Sequence, residues 1–145
     1  MRRGLVTSRG LSKHDKLMAS VIRFLITKCD ASPLDIFTEK KLDSRGKITY
    51  IDLVWKDKNI ECLANKGGLQ YSKVDIFLSE NKPIILAIPF DLDVKSVPSR
   101  IFSLVKGVLV FDIEKEELFK SFRNFDEYIG YMILGKHDKT VTINL

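Results

Sequence analysis

From Ile84 to Ile88 the chain runs Ile-Ile-Leu-Ala-Ile without a polar residue, and Pro89 closes it. Too short for a buried helix and rich in β-branched residues, it reads as a strand covered on both faces. A strand of that kind needs a layer of structure above and below it. The expected fold class is therefore α/β, with a mixed central β-sheet flanked by helices. A length of 145 residues fits one such domain, and 45% apolar with 30% charged residues is enough to bury a core. The apolar runs fall far short of the roughly 20 residues that cross a bilayer, so no membrane partner is expected. The N-terminus lacks the apolar stretch of a secretory signal, which predicts a cytoplasmic protein. Cys29 and Cys62 form no CxxC pair and are expected as reduced thiols; with His14 and His137 they show none of the paired spacing of zinc sites.

The net charge of +5 is confined to one end. The first thirty residues hold seven basic side chains against two acidic ones, and the other 115 are balanced at 17 of each. Residues 1–11 read as a basic arm preceding a single domain over 12–145. Arg2, Arg3 and Arg9 of the arm, with Lys13 and Lys16 just beyond, are candidates for binding phosphates of DNA or RNA through counterion release.

Ser12 with Asp15 three residues later is a capping signature. Leu17, Met18, Val21, Ile22, Leu25 and Ile26 then mark an amphipathic helix ending near Cys29. Strands are expected at 34–42 and 47–55, joined by the turn Asp43-Ser44-Arg45-Gly46. Residues 59–66 fit a short helix or a strand equally well. Lys73–Leu78 and Pro83–Phe90 read as adjacent antiparallel strands. A short helix from Pro98 to Lys106 then leads, by a parallel crossover, into a strand over 108–113. A last helix is predicted over 114–134, with Phe119, Phe122 and Phe125 on its core or on a dimer face, and an edge strand over 140–145.

This order of elements, with Val74-Asp75-Ile76-Phe77-Leu78 before Ile84-Ile85-Leu86-Ala87-Ile88-Pro89, resembles the restriction-endonuclease-like, or PD-(D/E)XK, nucleases, and among them the archaeal Holliday-junction resolvases. The resemblance implies an aspartate on one strand and E-x-K on the next, converging on Mg²⁺. Hard oxygen ligands suit that ion, and the lysine offsets charge on the phosphate oxygens. With Asp75 as the family aspartate, the acidic and lysine positions fall on Ala87 and Pro89, which supply neither group. That alignment predicts a catalytically degenerate, nuclease-like nucleic-acid-binding protein that needs no cofactor.

A second alignment places the site on Asp52 and, nine residues later, Glu61. Position 63 is then leucine, and the next lysine is Lys66. Since the lysine migrates within this superfamily, Asp52, Glu61 and Lys66, with Glu39 or Asp75, make an alternative, active Mg²⁺-dependent endonuclease. Weaker similarity links Gly68-Leu69-Gln70-Tyr71 and Ser99–Lys106 to tRNA-splicing endonuclease subunits, whose lysine would correspond to Lys106. That similarity implies a non-catalytic protein-interaction subunit, in a homodimer or hetero-complex. There is no P-loop, GxGxxG or GxSxG.

Overall fold

Ser12 Oγ accepts the Asp15 backbone N–H at 3.1 Å and starts helix α1, Lys13–Lys28, whose Leu17, Val21 and Leu25 are fully buried. The computed structural model describes residues 12–133, so the basic arm and the expected strand over 140–145 lie outside the described residues. Six strands follow: β1 (Ile36–Ser44), β2 (Lys47–Trp55), β3 (Lys58–Cys62), β4 (Ile84–Pro89), β5 (Val105–Asp112) and β6 (Glu117–Phe122). They lie in the sheet in chain order. β3, β4 and β5 run parallel, and the outer pairs are antiparallel. The chain is thus α/β, a mixed sheet between helical layers.

Every residue of β4 is buried. On one face Ile85 and Ala87 pack with Leu17, Val21 and Leu25 of α1; on the other, Leu86 and Ile88 pack with the remaining helices. On that side lie α2 (Tyr71–Ser79), two 3-10 turns (Val94–Ser96 and Ser99–Leu104) and α3 (Phe125–Ile133). The helix expected from Pro98 is therefore a tighter and shorter turn, and β5 begins at Val105. Among the described residues no helix is long and apolar enough to cross a membrane. Cys29 and Cys62 are both unpaired.

Two expectations are overturned. Residues 73–78 are not a strand antiparallel to β4 but part of α2. Val74, Ile76 and Leu78 alternate as in a strand, yet Val74 and Phe77 also fall at helical spacing, and both are fully buried. The decision is not local. β3 and β4 are parallel neighbours, and a parallel pair needs a crossover connection, which α2 provides. Residues 59–66, open between helix and strand, then resolve with β3 ending at Cys62. The helix predicted over 114–134 forms only in its second half, as α3, and its first half is a turn and a strand. Asp112 Oδ1 accepts the N–H groups of Glu114 and Lys115 at 3.2 and 3.3 Å, Glu116 takes a left-handed φ of 54°, and the chain reverses into β6. Phe119 is thereby half-exposed on β6 while Phe122 and Phe125 are buried, so the three do not share a helix face.

Candidate functional site

The two-residue turn Lys56-Asp57 joins β2 to β3, and the register pairs Trp55 with Lys58, Val54 with Asn59 and Leu53 with Ile60. One step further, Asp52 and Glu61 stand opposite each other where the ladder ends. Their carboxylates take over the backbone groups that the ladder leaves. The Asp52 N–H donates to Glu61 Oε2 at 3.1 Å, and the Cys62 N–H donates to Asp52 Oδ2 at 2.8 Å. Beyond this point β3 pairs only with β4, through Cys62 opposite Ala87 and the Leu63 N–H on the Ala87 carbonyl.

The alternation of β2 slips at the same place. Ile51 and Val54 pack in the α2-side core, whereas Leu53 and Trp55 pack under α1. Directly across on β1, Glu39 has a left-handed φ of 54°, uncommon for a residue with a side chain. Backbone strain of this kind is known to gather at functional sites.

Two helices complete the cluster. Lys73, in the first turn of α2, places Nζ 2.7 Å from Glu61 Oε1 and 3.8 Å from Asp52 Oδ1. A cation there opposes the helix dipole, and the two carboxylates compensate for it. His14, in the first turn of α1, brings Nε2 to 3.4 Å from Asp52 Oδ2. These groups open into a cavity of about 140 Å³ walled by Leu63, Ala64, Leu69 and Leu86. The loop from Asn65 to Gly68 closes one side tightly: a Cβ on Gly68 would come within 3.0 Å of Leu63 Cδ1 and 3.1 Å of the Asn65 carbonyl.

Burial governs the electrostatics. Glu61 is only 3% exposed, and loss of solvent, helped by the charge of Asp52 and opposed by Lys73, pushes its carboxyl up to about 7. Asp52 goes the other way. Burial alone would raise it, but the hydrogen bond from His14, the Lys73 charge and the Cys62 N–H together lower it. His14 is raised, chiefly by that same bond to Asp52 and against its burial. The Cys62 thiol is pushed well up by burial and by the charges of both carboxylates. Two acids side by side, shifted in opposite directions, are what a shared site produces.

Of the residues singled out from sequence, Asp52 and Glu61 come together, while Lys66 is exposed in the loop after β3 and lines no part of the cavity. Asp75 lies on the outer side of α2, paired with Arg100 at 2.6 Å. The alignment that made Asp75, Ala87 and Pro89 a dismantled centre therefore fails, because Asp75 is not on a strand and Ala87 and Pro89 are buried within β4. Glu39 is exposed opposite Asp52, and Lys106 is exposed on β5. Lys13 pairs with Asp91 at 3.3 Å and Lys16 with Glu114 at 3.7 Å; Arg2, Arg3 and Arg9 lie outside the described residues. The sequence reading missed Lys73 and His14. The available signal was Lys73 at the start of a segment whose Val74, Ile76, Phe77 and Leu78 are apolar and which only Asp75 interrupts.

Among the described residues no three His, Cys, Asp or Glu side chains form a ready cage for a metal. Two carboxylates do converge, and Mg²⁺ is commonly held by one or two carboxylates, with waters and substrate phosphates filling the remaining positions. Asp52 and Glu61 fit such a half-site, since Glu61 ionises near neutrality. Compared with known protein families, curated proteins and solved structures, the chain matches none.

Proposed function

We propose that this chain is a restriction-endonuclease-like, metal-dependent hydrolase of nucleic-acid phosphodiesters, with Asp52 and Glu61 as cation ligands and Lys73 as the catalytic amine. The observation that carries the reading is the Lys73 ammonium between two facing carboxylates in one apolar-walled cavity. It follows the active alternative built on Asp52 and Glu61, with one change: the lysine absent two positions after Glu61, where Leu63 stands, is supplied by Lys73 of α2 rather than by Lys66. A divalent cation, when bound, would polarise the phosphate and lower the pKa of an attacking water. The chain's own groups do the rest. Lys73 offsets negative charge developing on the phosphate oxygens. His14 holds Asp52 from α1, and the wall of Leu63, Leu69 and Leu86 keeps the local dielectric low, which strengthens each of these interactions.

The test is Mg²⁺- or Mn²⁺-dependent cleavage of duplex DNA, branched DNA and RNA by the full chain, beside Asp52→Asn, Glu61→Gln and Lys73→Ala. Cleavage that disappears in all three variants supports the reading. A wild-type chain inert on every substrate with either metal overturns it.

A further inference from the structure

Outside the carboxylate cluster, the densest unassigned chemistry is on the β1–β2 hairpin. Lys40, Lys41, Arg45 and Lys47 fall within eight residues and are all exposed. None of the four has an ion-pair partner among the described residues, whereas Lys13, Lys16, Arg23, Arg100 and Arg123 are each paired with an acid. Asp43, the acid at the hairpin tip, is occupied by the Gly46 N–H at 3.1 Å.

The register assigns these cations to faces, because antiparallel partners share a face and successive residues alternate. Lys40 opposite Ile51 and Lys47 opposite Ser44 lie on the side of Leu42, which packs toward the α2-side core. Lys41 opposite Tyr50, and Ile48 opposite Asp43, lie on the other side. Helix α1 packs over β3, β4 and β6 and leaves that side open, so Tyr50 and Ile48 remain about half exposed. The hairpin is thus a two-stranded ribbon with cations on both faces and at its tip.

A flat contact would use one face. Cations on two faces suit a ribbon lying between two walls of phosphate. The B-form major groove, roughly 12 Å wide, admits a two-stranded ribbon. The A-form RNA groove is too deep and narrow for side chains to reach in. Asp52 follows Tyr50 by two residues on the same strand, about 7 Å along it, so a ribbon seated in the groove brings the neighbouring backbone to the cavity. We propose that the β1–β2 hairpin is the element that docks this protein on duplex DNA, with Lys41, Arg45 and Lys47 on phosphates and Tyr50 against the groove. The value of that placement for cleavage rests on the function proposed above, but the docking is measured without cleavage.

The experiment uses the full chain in EDTA, with a labelled duplex of about 30 base pairs, by fluorescence anisotropy from about 50 to 300 mM salt. The variant K41A/R45A/K47A is expected to bind at least tenfold more weakly and to lose roughly two to three units of the salt-dependence slope, about 0.9 per phosphate contact. The single charge reversal Lys41→Glu is expected to weaken binding in the same direction. The control K28A/K95A/K115A, which removes three exposed cations elsewhere, is expected to match wild type. Duplex RNA of the same sequence is expected to bind at least tenfold more weakly than DNA. Urea unfolding of each variant confirms that it is folded. Wild-type affinity and slope in both hairpin variants, RNA bound as tightly as DNA, or no DNA binding by wild type at the lowest salt would each overturn the proposal. Hairpin-dependent binding by a chain that cleaves nothing would leave the docking surface standing and remove the nuclease reading alone.

Discussion

Replacing Glu61 with glutamine keeps the shape of the side chain and removes its ability to ionise, which isolates the effect of its burial. The wild-type carboxyl moves from an ordinary 4.5 to about 7 on folding. Between those values the unfolded chain has released the proton while the folded chain still holds it. Folding stability must then fall as pH rises through the window and level off above it. A shift of that size corresponds to roughly 3 kcal/mol across the window, at 1.36 kcal/mol per pKa unit. Glutamine has no such slope. Urea unfolding at several pH values from about 5 to 8 in EDTA should therefore show Glu61→Gln gaining on wild type by most of that amount, and the slope is unaffected by any constant packing cost of the substitution. His14, raised by Asp52, also loses its contribution as pH rises, but it is present in both proteins. Parallel pH profiles for wild type and Glu61→Gln would refute the argument, since they would mean that Glu61 ionises alike in the folded and unfolded chains.

Mg²⁺ should stabilise the wild type by about 2.7 kcal/mol when free metal reaches a hundred times its Kd. Thermal unfolding should show this gain abolished in Asp52→Asn and shrinking toward pH 5, where Glu61 takes up its proton. Lys73→Ala should lower the cleavage rate by roughly 10²- to 10³-fold, the usual size for removing one group that stabilises transition-state charge. Single-turnover rates at saturating metal would measure it. Asp75→Asn breaks a pair in which both side chains are about half exposed, so it should leave cleavage unchanged and shift stability by less than about 1 kcal/mol in denaturant titration. Glu39→Gly, which relieves a left-handed φ opposite Asp52, should raise the urea midpoint, with a gain of about 1 kcal/mol.

What the sequence reveals and what it hides divide along a physical line. The buried strand over 84–89 and the capped helix from Ser12 rest on local rules, apolar runs and side-chain oxygens at helix starts, whereas Asp52 and Glu61 are linked in the sequence only by their spacing, and their facing comes from the register of β2 and β3. Lys73 is hidden because residues 71–79 satisfy both periods at once; the choice is made by β3 and β4, which lie beside each other only after folding. The segment after Asp112 misleads for a related reason. Its phenylalanines recur at helical spacing, but the hydrogen bonds of a single aspartate turn the chain before a helix can start. His14 is hidden because it sits on the polar side of an ordinary amphipathic helix, and nothing in that helix announces the strand end beside it.

Lys56 and Asp57 act as a ruler for the chemistry two turns of pleat away. Adding a single residue there would send Glu61 to the opposite side of the sheet, because neighbouring positions on a strand point in opposite directions. The same insertion in the Arg45-Gly46 reversal would leave the carboxylates where they are, since β2 and β3 would keep their mutual alignment. One reversal is thus fixed in length by what lies beyond it, and the other is free to vary.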